Sequence, residues 1–276
     1  MSRRINYFTG VVAPTCSDAD VDAFFALSGM DEATLTPWLS SIGRTYSQVK
    51  LAVCEFITAL KAAGVYNLGG SDALYLPIGN TSTQRRYNFI GAGSFFTLTF
   101  FGGITFTNFS VKGNGVNGYT TTGWQPQLQA AADRAGFAVD IADDIATGTQ
   151  VMGTFTNPNR RMWINIGGTP TGNIQITDGS LIAFSGSRKA LFISRRDSAA
   201  FNQSYKDGVS LGTNTAAFTP PTSSFVLNAT NNAGAIAYFA PQGWNMCYLS
   251  GGAWSEPQAL VINSAYSTLK TALGIP

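Results

Sequence analysis

The segment Leu98–Gly123 constrains the fold more than any other part of this 276-residue chain. Its sequence, LTFFGGITFTNFSVKGNGVNGYTTTG, alternates apolar residues with Thr, Asn and Ser, and glycine-asparagine clusters interrupt the alternation. Such alternation is typical of half-buried antiparallel strands, and such clusters are typical of turns. The same alternation of apolar and small polar residues recurs from about residue 164 to residue 249. The chain is therefore predicted to be mainly β.

Many short strands at roughly 8–12 residue spacing predict a two-sheet β-sandwich or jelly roll. All-β sandwiches often reach about 200–250 residues as one unit, so one large β domain over residues 71–254 is expected. The strongest hairpin signal lies at Tyr205–Val209. Its Asp207-Gly208 pair tolerates the positive φ angles of a type I′ turn.

Residues 1–70 follow a different period. Apolar residues recur at three- and four-residue intervals after Ser17 and again after Thr45, which predicts a small N-terminal helical region of two or three elements. From Asp72 the period changes from 3.6 to 2. Because Arg3, Arg4, Tyr7 and Phe8 precede any packed element, we expect the N-terminal region to attach the chain to a partner.

A C-terminal helix is predicted within residues 255–276. Ser255-Glu-Pro-Gln258 forms a capping box with proline in the first turn, where no backbone N–H is missed. The stripe expected to pack on the sandwich or on a neighbouring subunit comprises Ile262, Tyr266, Leu269 and Leu273.

Composition argues against several classes of function. The formal net charge of +2 is too small to favour nucleic-acid binding, and no apolar window is long enough for a membrane span. The N-terminus lacks the continuous apolar stretch of a signal peptide. The chain is therefore expected to be made in a cytoplasm and to leave it by lysis.

The sequence contains few patterns that are typical of catalytic or metal-binding sites. The chain has no histidine, and its three cysteines are too widely spaced to predict a zinc site. Asp140, Asp143 and Asp144 form the one dense carboxylate group of the β region, and the single glutamate after residue 71 is Glu256, at a helix start. Asp140 falls in the predicted strand Gly136–Ile141, and we interpret the Asp143-Asp144 pair as solvated loop residues. Glycoside hydrolysis and a structural calcium are the alternatives for this group. The sequence thus predicts no enzyme, no catalytic residue, no metal and no cofactor.

Aromatic residues in loops suggest a ligand site. Trp124, in TTGWQPQ, and Tyr119 could stack on a sugar, while the neighbouring Asn114 and Asn117 could bind its hydroxyls. Trp163 lies within a predicted strand, where aromatic residues usually pack in the core. The predicted glycan site therefore comprises Asn114, Asn117, Tyr119 and Trp124.

Ten of the 17 basic residues fall in five doublets. Because neighbouring strand residues point to opposite faces, a doublet cannot present both charges on one surface. We expect the doublets at solvated edges, strand ends and subunit contacts, with an acidic ligand or glycan as the alternative. They are Arg3-Arg4, Arg85-Arg86, Arg160-Arg161, Arg188-Lys189 and Arg195-Arg196.

Several segments, in order, resemble a group of virion proteins of tailed phages of gut bacteria that carry a concanavalin-like jelly-roll domain. They are Arg3–Gly10 (RRINYFTG), Ala73–Ile78 (ALYLPI), Tyr87–Phe89 (YNF), Gly113–Tyr119 (GNGVNGY), Phe192–Arg196 (FISRR), Tyr205–Gly208 (YKDG) and the closing helix. The resemblance implies a fibre or tail-associated appendage located in the virion, with other virion proteins as partners. It also implies a homo-oligomer, most plausibly a trimer.

Three functions follow as hypotheses. The first is a virion structural protein that docks by its N-terminal region and projects a lectin-like sandwich. The second is an adhesin that binds a glycan of the host surface, and the two roles can coexist in one fibre. The third is a glycan-degrading depolymerase. A glycan array separates the second from the first, and release of reducing sugars identifies the third.

Deleting residues 1–14 tests the attachment role. The truncated sandwich should fold but should not enter particles, because an apolar, basic tail outside the core usually needs a partner to order it. Quantitative mass spectrometry of purified particles measures the copy number. Normal incorporation of the truncated chain would show that attachment resides elsewhere.

Overall fold

The computed structural model describes residues 17–93, 95–131, 133–145, 151–156, 160–166, 171–177, 181–198 and 200–276. The helices in these ranges are α1 (Ala19–Leu27), α2 (Glu32–Ile42), α3 (Tyr46–Ala62), α4 (Pro126–Gln129) and α5 (Glu256–Leu273). Short 3-10 turns lie at Gln84–Arg86 and Ile90–Gly93.

The strands of the described residues form two sheets. They are β1 (Ala73–Tyr75), β2 (Thr99–Phe101), β3 (Thr105–Phe106), β4 (Val111–Lys112), β5 (Tyr119–Thr121), β6 (Ala135–Ile141), β7 (Val151–Thr156), β8 (Arg160–Asn165), β9 (Thr171–Thr177), β10 (Ile182–Ser185), β11 (Ala190–Ser198), β12 (Phe201–Lys206), β13 (Val209–Asn214), β14 (Val226–Leu227), β15 (Thr230–Asn232), β16 (Ala235–Ala237) and β17 (Gly243–Ser250).

Sheet A has the order β13-β12-β11-β6-β17-β4-β3, with β1 also paired to β17. Sheet B has the order β10-β9-β8-β7-β14-β5-β2, with β15 against β7 and β16 against β15. Neighbouring strands are antiparallel, except that β15 runs parallel to β7. The predicted fold class is confirmed: the chain is mainly β, a two-sheet sandwich of the jelly-roll, lectin-like type with small N-terminal helices and a C-terminal helix.

Sheet A is the middle of three layers, as the alternation along β6 shows. Phe137, Val139 and Ile141 point into the core shared with sheet B, whereas Ala138 points into the core shared with the helices. Every residue of β6 is buried. A strand at the centre of such a sheet therefore needs apolar side chains on both faces.

The predicted hairpin is confirmed at the β12–β13 connection. Asp207 and Gly208 have φ angles of 50° and 78°, the left-handed conformations that a type I′ turn requires. Lys206 and Val209 pair across the turn. The turn is also fixed to β11, since the Asp207 carboxylate accepts a hydrogen bond of 2.9 Å from the backbone N–H of Leu191.

The N-terminal helices begin at side-chain caps. Asp18 caps α1, while Asp31 and Thr45 open α2 and α3 with capping boxes. The helices pack onto the outer face of sheet A through one apolar cluster that also includes Tyr248 of β17. Phe24 of α1 joins this cluster and stacks on another aromatic ring with centroids 3.4 Å apart. The change of period at Asp72 thus coincides with the start of β1.

The C-terminal helix α5 fulfils its sequence prediction. Ser255 and Gln258 form the predicted capping box, and the Gln258 side chain donates to the carbonyl of Ala63 at the end of α3, at 3.1 Å. The predicted stripe of Ile262, Tyr266, Leu269 and Leu273 is buried at 1% exposure or less. The helix therefore closes the helical layer against α3 and sheet A.

Truncating the buried stripe should destabilise the protein. Leu269→Ala should lower the free energy of unfolding by about 2–5 kcal/mol, since it leaves a cavity between α5 and its neighbours. Chemical denaturation measures the change. Leu260→Ala is the matched control in the same helix, because Leu260 is 39% exposed; equal losses in the two variants would show that α5 is peripheral.

Asp72 ties the segment before β1 to the end of β17. Its carboxylate accepts hydrogen bonds of 3.1 Å from the backbone N–H groups of Gly69 and Gly251, and the Tyr248 hydroxyl lies 3.3 Å from Oδ2. The side chain is 1% exposed. Burial raises the pKa of the Asp72 carboxyl to about 6 from its ordinary value of 3.8.

This raised pKa predicts a pH dependence of stability. A carboxyl whose pKa is higher in the folded state contributes stability at low pH that is lost as the pH rises through about 6. Relative to Asp72→Asn, the wild-type protein should gain on the order of 1–3 kcal/mol of unfolding free energy between about pH 7 and about pH 4. Parallel denaturation curves for both proteins would contradict this.

Candidate functional site

Trp124 does not lie on the surface, so the predicted glycan site needs correction. Its side chain is fully buried in the core between the sheets, and its indole N–H donates to the Ser71 carbonyl at 2.8 Å. The glycine and proline beside it suggest an exposed loop, yet burying so large a ring with its N–H paired is favourable. Trp124 therefore closes one end of the core.

The other predicted loop residues do come together. Asn114 donates to Asn117 Oδ1 at 2.8 Å, and Asn114 Oδ1 accepts from the backbone N–H groups of Val116, Asn117 and Gly118 at 2.9–3.0 Å. Both amides thus shape the loop that leads into β5. Tyr119 stacks on another aromatic ring at a centroid distance of 4.7 Å and stays partly exposed.

The predicted attachment residues Arg3, Arg4, Tyr7 and Phe8 lie outside the described residues. Their role remains a prediction.

The three aspartates of the carboxylate group have different surroundings. Asp140 is fully buried on β6, accepting hydrogen bonds from Asn245 at 2.8 Å and from the Tyr266 hydroxyl at 3.0 Å, with Lys270 Nζ 3.4 Å away. Burial raises the pKa of Asp140, opposed by the charge of Lys270. Asp143 lies 3.0 Å from a lysine Nζ. Asp140 therefore joins sheet A to α5, whereas Asp143 contacts neighbouring strands of the same sheet.

Strand β8 carries polar and aromatic side chains on the outer face of sheet B. Met162 and Ile164 are fully buried between the sheets. Because strand residues alternate, Arg161 and Trp163 point away from that core. We call this surface the Trp163 face. Its members are Phe155 of β7, Arg161 and Trp163 of β8, and Gln175 and Thr177 of β9.

The strand register makes the Trp163 face one contiguous patch. Trp163 is directly opposite Gln175, while Arg161 lies between Phe155 and Thr177 on the two flanking strands. Neighbouring strands are about 4.8 Å apart, so these side chains touch or nearly touch. The rings of Phe155 and Trp163 meet edge to face, with centroids 5.6 Å apart.

Three polar atoms of the Trp163 face are buried without a hydrogen-bond partner among the described residues. They are Arg161 Nε, Trp163 Nε1 and Gln175 Oε1. Gln175 is fully buried, and its amide nitrogen donates a long bond of 3.4 Å to the Thr177 hydroxyl. Each such atom costs about 1–3 kcal/mol, and native proteins leave few of them. Such atoms also occur elsewhere in the described residues, but three of them lie side by side here, which makes this patch a candidate binding site.

The Arg161 guanidinium is held by an aromatic ring. Its central carbon lies 4.8 Å from the centroid of the Trp163 ring, and no carboxylate of the described residues is within salt-bridge distance. By contrast, Arg188 and Arg195 each have an aspartate partner. Within the described residues, Arg161 thus has no anionic partner, and its Nε has no acceptor.

Sequence reasoning assigned Trp163 to packing and so missed this site. The sequence contains the signal, because the apolar residues Met162, Ile164 and Ile166 alternate along this strand. The residues between inward-pointing positions must point outward.

The described residues contain no group of three or more Cys, Asp or Glu side chains placed to hold a metal ion. None of their helices combines the length and apolar character that a membrane span requires.

No protein-family model and no curated protein sequence matches the chain. Solved structures do match. Trypanosoma rangeli sialidase in complex with sialic acid has a TM-score of 0.53 and 12% identity, covering 71% of this chain and 33% of the sialidase. A mutant of that sialidase displaying trans-sialidase activity has a TM-score of 0.51 at the same identity and coverage. The chain spans about a third of each sialidase, and the likeness shows the fold alone.

The fold neighbours correct the prediction that the chain is not an enzyme. That exclusion is wrong, because the solved structures that share the fold are sialidases. It relied on the missing histidine and the scarcity of glutamate. Glycoside hydrolases work with aspartate or glutamate pairs, or with a tyrosine nucleophile, so a chain without histidine is not excluded from their class.

Proposed function

We propose that the chain is a structural protein of a tailed-phage virion, a fibre or tail-associated appendage that docks by its N-terminal region and uses the sandwich to bind a host-surface glycan. The resemblance of ordered segments to phage virion proteins supports the virion role. A lectin-like sandwich in a repeated fibre subunit supports glycan recognition, because many weak sites act together.

The Trp163 face carries the glycan-binding part of the proposal. Sugars present hydroxyl groups and apolar C–H faces, which proteins recognise by combining aromatic rings with a few fixed polar groups. Trp163 and Phe155 supply the rings. Arg161 and Trp163 offer unpartnered donors, and Gln175 offers an unpartnered acceptor.

Trp163→Ala should weaken glycan binding at least tenfold, a loss of about 1.4 kcal/mol, because it removes both the ring and its N–H. Binding of the purified protein to an array of bacterial surface polysaccharides, followed by affinity measurement on the positive members, tests this. Phe95→Ala is the matched control, since Phe95 is an aromatic residue that is 68% exposed outside this face.

Other patterns would overturn the assignment. Equal losses of affinity in the two variants would show that exposed aromatic residues bind the polysaccharide non-specifically. Full binding by Trp163→Ala together with loss in Tyr119→Ala would move the site to the loop before β5. Absence of binding to any polysaccharide would remove the glycan-binding role and leave the virion role to be tested by the N-terminal deletion.

Glycan cleavage is the second candidate function, and the observation that favours it is the fold shared with sialidases over 71% of the chain. Incubating the protein with the polysaccharides that it binds, and measuring released reducing ends or free acidic sugar, separates cleavage from binding.

A further inference from the structure

Strands β7, β8 and β9 together carry positive charge without any acidic residue. Their sequences are VMGTFT, RRMWIN and TGNIQIT, which contain two arginines and no Asp or Glu. Of the two arginines, Arg161 belongs to the Trp163 face, while Arg160 precedes it on the strand and points to the opposite side. The described part of the Trp163 face therefore has a cation and no anion of its own.

The shape of the Arg161 guanidinium also determines which kind of ligand group it can bind. A guanidinium is a planar fork of N–H donors that matches a carboxylate in a bidentate manner. Arg161 stacks on the Trp163 ring, which orders the fork without consuming its N–H groups. The Trp163 indole N–H is a further donor in the same patch, and Gln175 Oε1 can accept from a hydroxyl.

We infer that the ligand of the Trp163 face is a glycan that carries carboxylate groups, such as a polysaccharide containing uronic or other acidic sugars, bound through Arg161. This inference rests on the proposed glycan-binding function and specifies its ligand class. The Arg161 guanidinium pairs with the sugar carboxylate, the Trp163 ring borders the sugar, and Gln175 accepts from a neighbouring hydroxyl.

The test compares each carboxylated polysaccharide of the array with the same polysaccharide after chemical reduction of its carboxyl groups to primary alcohols. This pair differs in charge and keeps the sugar backbone. The wild-type protein should bind the carboxylated form at least tenfold more tightly. Rising salt concentration should weaken binding to the carboxylated form alone, because partly exposed charges are screened.

Arg161→Gln should lower affinity for the carboxylated form about tenfold, to the level of the reduced form. Arg161→Lys keeps the charge but loses the planar fork, so its affinity should fall between those of the wild type and Arg161→Gln. Arg160→Gln is the matched control, because it removes the same charge from the opposite side of the same strand. Circular dichroism of each variant checks that the fold is retained.

The outcomes separate this inference from the proposal beneath it. Equal binding of both polysaccharide forms, unaffected by Arg161→Gln, would reject the acidic ligand and retain glycan binding. Equal losses in Arg160→Gln and Arg161→Gln would reject the site, because net charge alone would then explain the preference. No binding to either form would reject both claims.

Discussion

The burial of sheet A on both faces is the constraint on which the rest of the structure depends. Its central strands β6 and β17 are buried along their whole length, with alternate side chains in two different cores. A sheet that is covered on both sides must have one layer on each. Here the helices supply one layer and sheet B supplies the other.

Polar groups inside this stack act as ties between layers. The buried Asp140 carboxylate of β6 meets the Tyr266 hydroxyl and Lys270 of α5, so the C-terminal helix is joined to the middle layer by more than apolar contact. Within sheet A, Asp72 joins the segment before β1 to the end of β17. Such groups must be paired, because an unpaired buried polar atom is costly.

Because unpaired buried polar atoms are costly, those of the Trp163 face indicate a binding site. The described helices lie against sheet A, so the outer face of sheet B is the sheet surface on the opposite side of the molecule. Arg161, Trp163 and Gln175 carry unpartnered atoms there, whereas the polar groups of Asp72 and Asp140 are paired. Trp254 Nε1 and Thr120 Oγ1 are also buried without a partner among the described residues, so the grouping of three such atoms on one sheet face, and not a missing bond alone, indicates a ligand site.

Much of the fold follows from local sequence rules, and the site follows less well. The capping box at Ser255, the stripe of α5 and the Asp207-Gly208 turn each depend on a few neighbouring residues, so their patterns predict them. Trp124 was misplaced because its loop packs back over the core, a long-range contact with Ser71 that no local pattern encodes. The tie between Asp140 and α5 could not be predicted, because Lys270 lies about 130 residues away along the chain.

Tryptophan fluorescence tests the central claim most directly. All five tryptophans lie in described residues; Trp38, Trp124, Trp244 and Trp254 are at most 3% exposed, whereas Trp163 is partly exposed. The claim predicts that a carboxylated glycan shields the fluorescence from acrylamide quenching, and that Trp163→Phe abolishes both the quenchable component and its protection. Unchanged quenching on glycan addition, or protection that persists in Trp163→Phe, would contradict a binding site on the Trp163 face.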